Sequence, residues 1–254
     1  MQAPLAYWIG VAAMVGLAFG SFSTLAIHRW PAGESLVSPR SHCTSCSRTL
    51  RWFELIPVVS WIVQRGCCRR CGASVSVRYP LVELASGAAA ALAIATFGPT
   101  WRGVAAAVLL LALVPVVAID MEHQLIPDVI VLPAAAAGLV AAVAADPGRW
   151  WVPVAAALGA AGFLGLLWLA YPGGMGLGDV KLALLLGAVL GGAVVAALAV
   201  AFLAGALLGL AMLVRFGPGA RKMAVPFGPF LAAGAIAALW VGPQIIDWYG
   251  GTLA

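Results

Sequence analysis

Charged side chains are scarce in this chain of 254 residues. Only 9% of the residues are Asp, Glu, Lys or Arg, whereas 63% are hydrophobic. A soluble globular protein carries roughly a quarter charged residues, so this composition excludes an ordinary water-soluble fold. We therefore predict an integral membrane protein.

The sequence also lacks three patterns that would indicate other architectures. No internal repeat of fixed period is present. The stretch Gly173–Gly178 lacks the G-x-G-x-x-G spacing of a dinucleotide loop and follows no strand pattern, so we interpret it as flexible backbone that lets an extended peptide approach. The first apolar run has no basic leading region and no convincing A-x-A cleavage site. We expect it to be a retained anchor and not a signal peptide.

Long apolar runs fill most of the chain, and about 20 such residues cross the roughly 30 Å hydrocarbon core of a bilayer. A single helix over 180–214 would be roughly 50 Å long, too long for one span, so we place a turn near Gly191 and Gly192. The predicted fold is an all-α integral membrane protein with about eight transmembrane helices and a cytoplasmic zinc-ribbon-like loop inserted after the first. The predicted spans are 5–27, 80–98, 103–119, 128–145, 151–170, 180–194, 195–214 and 226–246.

The distribution of cations predicts the orientation, because short loops rich in Lys and Arg stay in the cytoplasm. In the eight-span arrangement, twelve of the fourteen cations lie on one side, including Lys181, Arg221 and Lys222, and only Arg102 and Arg149 lie on the other. The loop 28–79 should therefore be cytoplasmic and both termini outside. The net charge of +5 is accounted for by anionic lipid headgroups, so membrane lipid is an expected partner and nucleic acid is not.

All five cysteines lie in the hydrophilic insertion 28–79, which follows the first span (1–27) and precedes a polytopic helical core (80–254). Two C-x-x-C pairs separated by 21 residues have the spacing of a closed, structural tetrahedral zinc site. Two disulfides are the alternative, which a reducing cytosol disfavours, and His28 and His42 are alternative ligands. Cys67 lacks the x-x spacing and is interpreted as a free thiol. The predicted zinc ligands are Cys43, Cys46, Cys68 and Cys71.

Two aspartates lie at the ends of predicted spans. Asp120 ends the third span and Asp179 opens the sixth, so the predicted topology places both at the cytoplasmic interface. An ionisable residue at membrane depth indicates function by default. Two carboxylates held close together share a proton and can activate water, one as base and the other as acid. The alternative is that both are ordinary interfacial acids that mark helix ends.

Several motifs occur in a fixed order and together span nearly the whole chain. They are GSFSTLAIHRWP from Gly20, the two cysteine pairs, ELIPVVSW from Glu54, RYPLVE from Arg78, IDMEHQLIPD from Ile119, GMGLGD from Gly174 and VPFGPFLAAG from Val225. In these motifs the chain resembles the type IV prepilin peptidases, bifunctional leader peptidases and N-methyltransferases. Thr24, where that family usually has Asn, and Cys67, where it usually has a basic residue, depart from the pattern.

The resemblance implies that Asp120 and Asp179 are catalytic. It implies cleavage of type IV prepilins or pseudopilins after a glycine, at the cytoplasmic face of a bacterial inner membrane. It also implies that S-adenosylmethionine donates a methyl group to the new N-terminus, and for this step we consider Gly66 and Glu83. Glu83 has two interpretations, a buried ion-pair partner near Arg78 or a substrate contact.

Other functions and roles stay open at this point. A proton- or ion-coupled transporter with a regulatory zinc loop is the main alternative, and a methyltransferase without protease activity is another. Asp128 is interpreted as a helix cap, with a third site acid as the alternative. The remaining polar neighbours of the aspartates, which either tune their proton affinity or form a solvated rim, are Glu122, His123 and Lys181.

Overall fold

The computed structural model describes residues 3–252 except 172, 173, 218, 220–222 and 224, and it does not describe the side chains of 243–252. Gly173, Arg221 and Lys222 therefore lie outside the described residues. The described part of the chain is helical and contains no strand beyond two isolated bridges. Its α-helices are α1 Leu5–Arg29, α2 Val59–Val63, α3 Arg78–Phe97, α4 Trp101–His123, α5 Asp128–Ala145, α6 Trp151–Ala170, α7 Leu177–Leu190, α8 Val194–Phe216 and α9 Gly228–Thr252.

Six helical stretches in the described residues are long and apolar enough to cross a bilayer, which indicates a multi-pass membrane protein. The sixth stretch, Leu177–Phe216, contains both α7 and α8, and the apolar part of α9, Gly228–Gly242, is shorter. The predicted number of eight spans is therefore not confirmed. The predicted turn near Gly191 is confirmed, because α7 ends at Leu190 and Gly191 adopts a φ of +55°.

The chain divides into two compact units, Met1–Gly103 and Val104–Ala254. The predicted division at residues 27 and 79 stays a prediction. In the first unit, α1 packs against α3 through small residues. A Cβ atom added to Gly20 would lie 2.7 Å from the Cα of Glu83, and one added to Gly16 would collide with the carbonyl oxygen of Ser86. Glycine therefore permits the close approach of these two helices.

In the second unit, α7 packs between α5 and α6. Leu182, Leu185 and Leu186 of α7 have no exposed surface, as expected for a helix that is apolar on all sides beyond Lys181. Gly187 lets α6 approach, since an added Cβ would collide with the carbonyl oxygen of Ala156. Gly234 of α9 packs in the same way against Ala197 of α8. Close contacts at glycine thus pack α6 against α7 and α8 against α9.

Candidate active site and metal centre

Asp120 lies in the last turn of α4 and is 4% exposed. Its Oδ2 accepts a hydrogen bond from the main-chain N–H of Gly228, the first residue of α9, at 2.9 Å. The N-terminus of a helix has unpaired N–H groups and a partial positive charge that favour a carboxylate. The sequence motif around Gly228 thus supplies a fixed partner for Asp120.

Asp179 is the third residue of α7 and is 6% exposed. Its Oδ2 accepts the main-chain N–H of Gly176, the residue that precedes the helix, at 3.1 Å. This is the side-chain-to-backbone half of a capping box. The glycine-rich sequence before α7 therefore turns the carboxylate back over the start of its own helix.

The structure brings Asp120 and Asp179 together. Although 59 positions separate them in the sequence, each lies within electrostatic range of the other. In both residues the hydrogen bonds to described residues use Oδ2 alone. Each carboxylate is thus fixed through one oxygen. A pair fixed in this way can act as base and acid in hydrolysis.

Gly178 joins the two aspartate motifs. A Cβ atom added to Gly178 would lie 2.7 Å from the Cβ of Ile126, and Ile126 belongs to the turn between α4 and α5. The same turn contains Gln124 at a φ of +51°. The chain after Asp120 therefore folds back directly onto the start of α7, and only glycine fits at the contact.

Four ionisable neighbours of the aspartates form two pairs at the rim of this site. Lys181 donates to the Oδ2 of Asp128 at 2.6 Å, with 31% of the lysine side chain and 48% of the aspartate side chain exposed. The interpretation of Asp128 as a helix cap is wrong in this respect, because its carboxylate makes this ion pair and the residue at the cap position is Pro127. Glu122 lies 3.8 Å from His123, and both are about half exposed. They form a solvated rim.

The four predicted ligand cysteines converge in the first unit. The Sγ atoms of Cys43, Cys46, Cys68 and Cys71 all lie within 4.8 Å of one another. Those of Cys43 and Cys71 are 3.8 Å apart, and tetrahedral zinc with Zn–S bonds of about 2.3 Å requires sulfur atoms roughly 3.8 Å apart. All five cysteines are free thiols, so the alternative of two disulfides does not occur. The donor set fits a tetrahedral thiolate metal ion.

The two cysteine pairs are folded alike. The N–H of Cys43 donates to the carbonyl oxygen of Arg48 at 2.9 Å, and the N–H of Cys68 donates to that of Ala73 at 2.8 Å. Each pair is closed by one antiparallel bridge, His42 with Thr49 and Cys67 with Ser74. His42 and Cys67 therefore occupy equivalent positions outside the sulfur cluster.

Main-chain N–H groups favour the thiolate form of two of the four cysteines. Those of Cys71 and Arg70 lower the pKa of the Cys68 thiol to about 6, and those of Cys46 and Ser45 lower the pKa of Cys43. A hydrogen bond to the charged form favours that form. Metal ligation requires thiolates, so the backbone around Cys43 and Cys68 supports metal binding. Burial and the neighbouring thiols instead raise the pKa of Cys71 to about 11.

Arg48 and Glu54 form a charged pair next to the cysteine cluster. Nη2 of Arg48 lies 2.6 Å from Oε1 of Glu54, whose side chain is only 1% exposed. Oε2 of Glu54 accepts the N–H of Arg51 at 2.9 Å, and the pair lowers the pKa of Glu54. The Arg48 guanidinium also interacts with the sulfur of Cys68. Such groups beyond the ligands orient a metal site.

Gly66 and Glu83, considered for methyl transfer, both contact the segment around α2. Gly66 has a φ of +66°, and an added Cβ would lie 2.9 Å from the indole of Trp61. Glu83 is 7% exposed, and its Oε2 accepts the N–H of Val58 at 2.7 Å. Both residues therefore shape the polypeptide around α2.

Sequence reasoning missed three residues that position the site: Gly228, Arg48 and Val58. Gly228 precedes a proline in an apolar motif. This pattern is typical of a helix start and was the available signal for Gly228. The role of Arg48 depends on its contact with Glu54, which forms only when the cysteine-containing loop folds. No local pattern of the sequence indicates this contact. Val58 adopts a φ of +60°, which is rare for a β-branched residue and has no signal in the sequence.

Two families match the chain in succession. Residues 14–97 match the bacterial peptidase A24 N-terminal domain, and residues 104–214 match the type IV leader peptidase family. The first match lies within the first compact unit, and the second begins where the second unit begins. The cysteine cluster is thus part of the first match and both aspartates are part of the second.

Full-length relatives agree with these matches. A prepilin leader peptidase/N-methyltransferase of Burkholderia pseudomallei is 39% identical over 98% of this chain and 90% of its own length. Proteins with the same description are 38% identical in Bacillus subtilis, over 92% of this chain and 94% of the relative, and 35% identical in Pseudomonas aeruginosa, over 93% and 91%. No solved structure matches the chain. These comparisons give no support to the transporter alternative.

Proposed function

The chain belongs to the type IV leader peptidase family, and we propose that it removes the leader of type IV prepilins or pseudopilins after a glycine, with Asp120 and Asp179 as the catalytic pair. The observation that carries this assignment is the convergence of two buried carboxylates, each fixed by a main-chain N–H at the start of a helix. The choice of leader cleavage as the reaction is supported by the relatives, which are named prepilin leader peptidase/N-methyltransferase.

In the proposed reaction, one carboxylate accepts a proton from water while the protonated partner donates a hydrogen bond to the scissile carbonyl oxygen. Water oxygen bonds to the carbonyl carbon, the C–N bond breaks, and the leaving amine takes up the proton that the first carboxylate accepted from water. The bonds from Gly176 and Gly228 hold both carboxylates in one geometry. Fixed groups of this kind lower the entropic part of the barrier.

We place this reaction at the cytoplasmic face of a bacterial inner membrane. The support is the Lys and Arg excess of the loop 28–79, since such loops stay inside. Asp120 and Asp179 lie at the ends of two of the helical stretches that are long and apolar enough to span a bilayer. A substrate with a long apolar stem would reach them from the membrane.

We assign the second activity, N-methylation of the new N-terminus, to the first compact unit. S-adenosylmethionine would supply the methyl group, and Gly66 and Glu83 are the candidate residues on this side. Zinc is the proposed metal, because a cluster of four thiolates suits a closed structural zinc site. Bound by the four cysteines, the ion would hold the two C-x-x-C pairs together.

The reaction is tested with purified chain in lipid nanodiscs and a purified prepilin. Mass spectrometry of the product should give two changes: loss of the leader up to the glycine, and addition of one methyl group when S-adenosylmethionine is present. A matched prepilin whose glycine before the cleavage site is replaced should remain intact. Cleavage at another position, or no cleavage of the natural prepilin, would contradict the proposed function.

A further inference from the structure

The segment Trp52–Val63 presents an apolar surface outside the long helices. It consists of a 3₁₀ turn at Trp52–Leu55 followed by α2 at Val59–Val63. Six large apolar side chains of this short segment are exposed, between 39% for Ile56 and 75% for Trp52. Clustered apolar exposure of this kind indicates a binding surface. The six residues are Trp52, Leu55, Ile56, Val59, Ile62 and Val63.

One hydrogen bond fixes the depth of this segment relative to α3. The main-chain N–H of Val58 donates to Oε2 of Glu83 at 2.7 Å. Glu83 is the sixth residue of α3, so at 1.5 Å per residue it lies about 7.5 Å inside the start of that helix. The 20 residues of α3 span about 30 Å, the thickness of a hydrocarbon core.

The contact between α1 and α3 shows that Glu83 also lies well inside the end of α1. The backbone of Gly20 lies against Glu83, since an added Cβ would be 2.7 Å from the Cα of Glu83. Gly20 is nine residues before Arg29, the last residue of α1, which corresponds to about 13.5 Å. The Cα of Glu83, whose carboxylate holds Val58, therefore lies inside the ends of both long helices.

The backbone at this point is held in an unusual conformation. Val58 has a φ of +60° and a ψ of −51°, which costs energy for a β-branched residue. The buried carboxylate of Glu83 holds the N–H of this same residue. The bond thereby fixes the turn that leads from the 3₁₀ turn into α2.

The charges around the segment are of one sign. Exposed arginines flank it at Arg51 and Arg65, and two more follow at Arg69 and Arg70. The single acid between Ser35 and Val82 is Glu54, and its side chain is buried against Arg48. Apolar side chains bordered by cations are typical of elements that lie in the interface of an anionic membrane.

We propose that the segment Trp52–Val63 is an interfacial membrane anchor, with its exposed apolar side chains inserted at the boundary between headgroups and acyl chains. It holds the cysteine-containing loop against the surface of the bilayer that the long helices cross. The occupant of this surface is lipid, because the bond to Glu83 ties the segment to a residue within α3, a helix long and apolar enough to cross the bilayer. This inference does not depend on the catalytic assignment.

The test uses the full-length chain in nanodiscs that contain one third anionic lipid and an alkyne-tagged acyl chain. A benzophenone amino acid replaces Ile62, and in a matched variant it replaces Val37, an apolar residue of the same loop that is 89% exposed. After illumination, the variant at position 62 should carry several-fold more tagged lipid. Equal labelling at the two positions would overturn the proposal.

A second labelling position and added prepilin distinguish contact with lipid from contact with substrate. If the variant at position 62 does not accumulate in membranes, the benzophenone amino acid replaces Val63, which is 63% exposed. The variant at position 63 should also form adducts with lipid. A purified prepilin is added in parallel samples. Adducts with the prepilin at 62 and 63, without lipid adducts, would identify a substrate surface and overturn the membrane anchor.

Discussion

Asp120 and Gly228 are 108 positions apart in the sequence, yet the main-chain N–H of Gly228 donates to Oδ2 of Asp120 at 2.9 Å. A Cβ atom on Gly228 would lie 2.6 Å from that same oxygen. Glycine is thus required at this position for two reasons: it brings the N-terminus of α9 close enough to hold the carboxylate, and it leaves room for the carboxylate itself.

Gly228→Ala should reduce leader cleavage by more than about tenfold, because displacing a catalytic group by about 1 Å can cost a hundredfold. The measurement is the cleavage rate of purified prepilin. Gly162→Ala on α6 is the matched control, since an added Cβ there meets no atom within 4 Å. Equal rates for the two variants would show that the bond to Asp120 is dispensable.

Metal analysis of the purified chain should give one zinc per molecule. A Cys43→Ser, Cys71→Ser double variant should lose it, because two thiolates do not close a tetrahedral site. Cys67→Ser should retain it, since Cys67 lies outside the sulfur cluster. Zinc that persists in the double variant would contradict the proposed ligands.

Glu54→Gln should release zinc to a chelator roughly tenfold faster or more, as is typical when a group that supports the ligands is lost. The exposed Glu34 of the same loop gives the control variant Glu34→Gln, which should behave as wild type. Unchanged release from Glu54→Gln would show that the pair with Arg48 does not support the metal site.

The same pair predicts a dependence on pH. Because folding lowers the pKa of Glu54, its contribution to stability is complete above the pKa of an unfolded glutamate, about 4.3. The contribution is lost as the pH falls below that value. The difference in melting temperature between wild type and Glu54→Gln should therefore be greatest near neutral pH and shrink towards pH 3. A difference that grows on acidification would contradict this assignment.

Methylation should be separable from cleavage. The Asp179→Asn variant should still methylate a synthetic pilin that already lacks its leader, because the proposed methylation residues lie in the first compact unit and Asp179 in the second. Mass spectrometry of the pilin N-terminus provides the readout, with wild type as the reference. The assignment of methylation to the first compact unit would be wrong if Asp179→Asn failed to methylate pre-cleaved pilin while variants of the cysteine loop still methylated it.

The sequence predicted the elements that depend on local patterns. The predicted spans 128–145 and 151–170 coincide with α5 and α6, because a proline precedes the first and a short polar turn separates the two. The turn near Gly191 followed from the length of a bilayer. The start of α7 was placed three residues late, at 180 instead of Leu177, since the glycines before Asp179 hid the helix start.

Contacts between distant parts of the chain could not be predicted. The bond from Gly228 to Asp120 and the bond from Val58 to Glu83 each join residues whose local sequences contain no sign of the other. The spacing of the cysteines predicted their clustering, because two C-x-x-C pairs have one simple way to share an ion. It did not predict Arg48, whose role depends on the folded loop.

Asp120 and Asp179 are proposed to act together as the catalytic pair, and replacing each aspartate by asparagine removes the carboxylate with little change in shape. Asp120→Asn and Asp179→Asn, purified from membranes in wild-type amounts, should each leave a purified prepilin uncleaved. Asp128→Asn, which removes only the half-exposed partner of Lys181, should cleave it within a few-fold of the wild-type rate. Cleavage by either of the first two variants at near wild-type rate would show that Asp120 and Asp179 are not the catalytic pair.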